Sequence, residues 1–198
     1  MNNYFGLSDD KVLSNSVQGF LIAENNVCTL EKCEYVVKGG NNLEAIEFTY
    51  KMNDNDVIRL QRDTRFGINK DNIRVKDGET QEEALKKAWG RVNAVLKHVA
   101  TKFNCTDDEM NALTGANFRQ YATNYCNLIM SKVKKDNPTL YCKVYNKGGY
   151  AAVGKYPNFL QRTDAGPCTL QYTNEENTAN ALVKSNGVVA DVSHENYV

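Results

Sequence analysis

Histidine is scarce in this chain: there are two, His98 and His194, and neither has a plausible triad setting around it. That argues against nucleophilic hydrolysis. His98 lies off the apolar stripe of the helix it would belong to and reads as a surface residue. No two of the six cysteines (Cys28, Cys33, Cys105, Cys126, Cys142 and Cys168) have CxxC spacing. Zinc would need a tighter cluster of Cys and His, so no metal site is assigned. In a reducing compartment the six thiols read as small buried hydrophobes. The chain also lacks a phosphate-cradling glycine loop of either the GxGxxG or the GxxxxGK[ST] kind. Residues 53–56 have acidic spacing without the glycine and later glutamate of a calcium loop. Asp107, Asp108 and Glu109 could hold magnesium, but helix capping explains them with fewer assumptions. No catalytic residue and no cofactor is therefore assigned, and the chain reads as a binding protein rather than an enzyme.

Long apolar runs are missing too. Nothing approaches the roughly 20 residues that cross a bilayer. The start, MNNYFGLSDDK, has neither the basic opening nor the apolar segment of a secretion signal. A cytoplasmic setting and no membrane partner are expected.

At 198 residues, with 41% hydrophobic and 24% charged residues, the chain can bury a core as one domain with appendages, or as two small domains. Its net charge is zero but unevenly spread. Residues 1–34 carry two basic and five acidic groups, and residues 163–198 carry one and five. Residues 51–76 carry seven basic and four acidic groups, and residues 132–162 carry seven and one. A neutral protein with one basic face can still hold a polyanion locally. Solvated decoration is the ordinary alternative for such runs.

Residues 1–26 are polar and read as an N-terminal arm. Residues 27–37, 43–50 and 57–66 read as a three-strand meander, with turns at 38–42 and 53–56. In the second strand Ile46, Phe48 and Tyr50 share one face, and Glu47 and Thr49 the other. The period then becomes helical. Thr80 and Glu83 form a capping box ahead of the stripe Leu85, Ala88, Trp89, Val92, Val95, Leu96, Val99 and Phe103. Trp89 reads as a core anchor. Thr106 and Glu109 repeat the capping pattern for a short helix. Residues 118–133 read as a second long helix, with Phe118, Tyr121, Ala122, Tyr125, Leu128 and Ile129 on one side. Asn137-Pro138 ends the helical part.

Residues 139–157, TLYCKVYNKGGYAAVGKYP, are the richest stretch. Alternation places Tyr141, Lys143 and Tyr145 on one strand face and Leu140, Cys142 and Val144 on the other. Residues 146–149 suit a hairpin turn. Lys147 lies in that turn, and the return strand carries Tyr150, Lys155 and Tyr156. Tyrosines interleaved with lysines suit stacked bases with phosphates alongside, and Arg59 and Arg62 extend the basic track. Half-buried tyrosines that simply favour strands are the competing reading. A last short strand is expected at 168–172, followed by a polar C-terminal tail over 173–198.

The expected fold is α+β: an OB-like five-stranded antiparallel barrel or sheet over residues 27–172, with a large helical insert between strands three and four, at about 80–133. In element order, in the LYCKVYNKGGYAAVGKYPNFL stretch and in its basic–aromatic interleaving, the chain resembles phage-encoded single-stranded DNA-binding proteins with an OB-type barrel. The resemblance implies non-sequence-specific binding of single-stranded DNA in phage replication or recombination, within the host cytoplasm. It also implies replication or recombination proteins as partners. The strongly acidic tail of many such proteins is not matched, since the end, DVSHENYV, holds only Asp191 and Glu195. A structural or adaptor protein of the virion, meeting another protein through its tyrosines, is the alternative. Oligomeric state stays open.

Overall fold

The computed structural model describes residues 27–38, 43–52, 59–60, 65–67, 73–147, 150–153 and 159–173. The expected N-terminal arm and the tail beyond Thr173 lie outside the described residues.

The elements run β1 (Val27–Lys38), β2 (Leu43–Met52), β3 (Arg59–Leu60), β4 (Arg65–Gly67), α1 (Gln81–Lys102), α2 (Asp107–Asn111), α3 (Phe118–Lys135), β5 (Leu140–Cys142), β6 (Val144–Lys147), β7 (Tyr150–Val153) and β8 (Leu160–Arg162). The class is α+β, with the helices inserted between strands of an antiparallel sheet. The sheet runs in the order β3-β2-β1-β5-β8, and β4 also pairs with β2. Among the described residues its two ends do not join, so the sheet is open.

The long β1–β2 pair is its spine. The register slips between Leu30 and Lys32, so Glu31 is a bulge residue. This slip has a packing consequence. Strict alternation would send Cys28, Leu30 and Lys32 inward together. The extra residue moves the inward phase by one, so Cys28, Leu30 and Cys33 are all buried while Lys32 is exposed. On β2, Ile46, Phe48 and Tyr50 are fully buried in the main core, as their alternation predicts. Ala45, Glu47 and Thr49 on the other face are buried as well, so β2 is a central strand covered on both sides.

Each helix begins where its cap dictates. The Thr80 hydroxyl accepts the Glu83 N–H at 3.2 Å, and the Glu83 carboxylate accepts the Thr80 N–H at 2.8 Å. Thr106 and Glu109 repeat the box, and Asn117 caps α3 by accepting the Gln120 N–H at 2.9 Å. The α1 face buries Trp89, Val95, Leu96 and Val99, and the α3 face buries Phe118, Tyr121, Tyr125 and Ile129. Trp89 meets the edges of Phe118 and Tyr121, with centroids 6.0 and 5.2 Å away, which confirms the indole as a core anchor. The Tyr125 hydroxyl, buried among apolar groups, donates to the Leu96 carbonyl at 2.7 Å and ties the two helices together. Gly115 lets the chain turn tightly into α3: a Cβ there would lie 2.8 Å from Tyr121 Cα and 2.9 Å from the Asn117 carbonyl oxygen.

Four expectations change. The third strand of the meander is two short pieces, β3 and β4, both paired to β2. Residues 160–162 form the edge strand β8, which their sequence does not advertise. Residues 168–172 make no more than a single bridge at Gln171. His98 is half-buried rather than free at the surface: its Nε2 accepts the Leu160 N–H at 3.3 Å and its ring lies 5.1 Å from Phe159. Desolvation, helped by the Lys102 charge, lowers its pKa to about 3, so the imidazole is neutral and joins α1 to β8.

Candidate nucleic-acid interface

The tyrosine–lysine stretch is not one strand. It divides at Lys143. On the near side, β5 lies in the main sheet between β1 and β8, with Leu140 and Cys142 fully buried. On the far side, β6 leaves the sheet and, among the described residues, pairs with β7 as a two-stranded ribbon.

A segment of the chain covers the near side. After β8 a short 3₁₀ turn, Thr163–Ala165, leads to Gly166, whose φ of 106° suits glycine. The chain then folds back, held by the Gln161 amide. Its Nε2 donates to the Pro167 carbonyl at 2.8 Å, and its Oε1 accepts the Thr169 N–H at 2.8 Å. Cys168, Leu170 and Tyr172 form a small second core, and Tyr141 packs half-buried against it. Lys143 is enclosed by the same fold-back and has 0% exposure. Its backbone N–H donates to the Phe159 carbonyl at 2.8 Å, and its Nζ donates to the Gln171 carbonyl at 2.9 Å. An ammonium so enclosed holds structure together and does not offer its charge to a phosphate. Lys143 thus belongs to packing, and Tyr141 is half-buried against the fold-back.

The ribbon keeps three of the other candidates together. Its register sets Tyr145 opposite Ala152 and Lys147 opposite Tyr150. Positions two apart in a strand share a face, so Tyr145, Lys147 and Tyr150 fall on one side of the ribbon. β3, which carries Arg59, lies against β7. Arg62, Lys155 and Tyr156 lie outside the described residues.

Elsewhere in the basic segment, Arg162 and Lys132 are paired with carboxylates, while Lys134 and Lys135 are exposed at the end of α3. Arg162 is a fork on Asp164, with Nε and Nη2 at 2.9 and 2.6 Å from the two carboxylate oxygens, and Asp136 lies 3.7 Å from it. The pairing raises the arginine's pKa and lowers the aspartate's. Lys132 donates to Glu109 at 2.7 Å, and that bond, followed by the Thr106 N–H, lowers the Glu109 carboxyl. Glu109 is therefore engaged as a helix cap and ion-pair partner. No group of three or more His, Cys, Asp or Glu among the described residues could hold a metal ion. No helix among the described residues is long and apolar enough to cross a membrane. No protein-family model, curated protein or solved structure matches the chain.

Proposed function

We propose that the protein binds single-stranded nucleic acid, in the first instance single-stranded DNA, on the β6–β7 ribbon. The supporting observation is the register that gathers Tyr145, Lys147 and Tyr150 on one ribbon face beside the strand that carries Arg59. Tyrosines stack on unpaired bases at about 1–3 kcal/mol each, and basic groups neutralise phosphates alongside. Stacking reads no base edge, so sequence preference is small and duplex is the weaker ligand. On this reading the open sheet is part of an OB-type barrel that would close where β3 approaches β7. The setting is phage replication or recombination in the host cytoplasm, with proteins of those processes as partners.

Fluorescence anisotropy with a labelled oligonucleotide tests this. The wild type should bind at micromolar concentration in low salt, with affinity falling steeply as salt rises. Tyr145→Ala with Tyr150→Ala should weaken binding at least tenfold and leave the melting temperature unchanged. No binding by the wild type at low salt would end the proposal. A virion structural or adaptor protein would then be the better reading. It is favoured by one observation: Lys143 and Arg162, two of the basic groups of residues 132–162, are already bonded to other groups of the protein.

A further inference from the structure

The core brings cysteines together in pairs drawn from distant parts of the chain. Cys33 on β1 and Cys126 on α3 are 93 residues apart in sequence, yet their sulfurs lie 3.5 Å from each other, with the Cys33 thiol directed at Cys126. Cys28 on β1 and Cys142 on β5 are also in thiol contact. All four are free thiols and buried. The two pairs differ in backbone geometry. β1 and β5 are antiparallel neighbours with Cys28 opposite Leu140, so Cys28 and Cys142 are diagonal across the pair. Diagonal partners have Cα atoms about 7–8 Å apart, beyond the roughly 4.4–6.8 Å that a disulfide spans. Cys33 and Cys126 face each other across a helix–sheet interface, where no strand register holds their Cα atoms apart.

We propose that Cys33 and Cys126 are a disulfide-forming pair that covalently fastens α3 to β1 when the protein meets a small-molecule disulfide oxidant, and that Cys28 and Cys142 stay reduced. One thiolate attacks a sulfur of the oxidant, forming a mixed disulfide and releasing one small thiol. The second thiolate then attacks the protein sulfur of that mixed disulfide and releases the other. The oxidant's S–S bond is reduced to two thiols as the protein gains one S–S bond and loses two thiol protons. Burial holds the Cys33 thiol well above its ordinary pKa, so the folded protein reacts slowly. The pair closes as α3 docks during folding, or when α3 lifts from the sheet.

The test is refolding from urea in a buffer of reduced and oxidised glutathione, followed by peptide mapping of the alkylated wild-type protein. One intramolecular disulfide, Cys33–Cys126, is expected, with Cys28 and Cys142 alkylated. Because it closes a loop of 93 residues, the oxidised form should melt roughly 10 °C above the same protein in excess reductant. Cys126→Ala should remove that difference between redox states, and Cys28→Ala should keep it. Mapping needs no variant, so a folding defect in either substitution leaves the test intact. The proposal is overturned if Cys33 and Cys126 remain alkylatable in oxidised protein, or if Cys28–Cys142 forms equally well.

Discussion

Replacing Lys143 with alanine separates a structural lysine from a phosphate-binding one. The side chain is fully enclosed, and its Nζ donates to the Gln171 carbonyl at 2.9 Å. Alanine keeps Cβ and removes three further methylenes, worth about 0.8 kcal/mol each, or about 2 kcal/mol together. A hydrogen bond to a charged group adds about 1.5–3 kcal/mol. The change also relieves the desolvation of a buried ammonium, which offsets part of the loss. The net expectation is a protein less stable by about 2–3 kcal/mol, read as a lower urea midpoint. Lys143→Met keeps most of the stem and should lose less. In the oligonucleotide titration, under conditions where both proteins are folded, the slope of log affinity against log salt should be the same for wild type and Lys143→Ala. Unchanged stability together with a shallower salt slope would refute this placement and return Lys143 to the surface.

Trp89→Ala should cost about 3–5 kcal/mol, because the indole is buried and meets two aromatic edges; an unchanged urea midpoint would put it at the surface. Gly115→Ala should cost about 1–3 kcal/mol, since the new methyl meets backbone of the α3 start that cannot rotate away; a neutral result in the same assay would mean that the turn yields freely. His98 makes stability fall in acid. Its folded pKa is about 3 against about 6.5 unfolded, so its contribution is whole above pH 6.5 and is lost as pH drops towards 3, by up to about 1.4 kcal/mol per unit. Urea midpoints at pH 7 and pH 4.5 should converge in His98→Gln relative to wild type, and an identical pH difference in the variant would remove His98 as the cause.

The helices were legible because their signals are local. A capping box needs residues only three apart, and a stripe such as Trp89, Val92, Leu96 and Val99 repeats within a few turns. The β1–β2 spine was legible for the same reason, since a turn-rich stretch separates two alternating runs. The bulge at Glu31 was not. Its cause is the need to bury Leu30 and Cys33 on one face against α3, and that requirement lies outside the strand's own sequence. β8 was missed because three residues, Leu160–Arg162, carry no alternation that can be recognised; pairing to β5 makes them a strand. His98 reads as a surface residue from its helix face alone, because the residues that half-bury it, Phe159 and Leu160, lie some sixty residues further on.

The division at Lys143 is the same lesson at the candidate site, and it has a functional consequence. Alternation treats Tyr141, Lys143 and Tyr145 as equivalents, because it assumes that one strand continues through them. The strand continues only if the same neighbours pair along its whole length. β1 pairs with residues up to Tyr141 and β8 with residues up to Cys142, and beyond that, among the described residues, the chain pairs with β7. At the crossover the Lys143 backbone bonds to the Phe159 carbonyl while its buried side chain bonds to the Gln171 carbonyl of the fold-back. Part of the basic–aromatic pattern therefore secures the base of the ribbon, and the remainder belongs to the ribbon itself. Binding energy and folding energy should accordingly separate along one short stretch of sequence. Substitutions at Tyr141 and Lys143 should act on stability, and substitutions at Tyr145, Lys147 and Tyr150 on affinity. A double-mutant cycle between Lys143→Ala and Tyr145→Ala measures this directly: the effects on oligonucleotide affinity should show no coupling beyond about 0.5 kcal/mol. A larger coupling would mean that the two residues work on one surface after all.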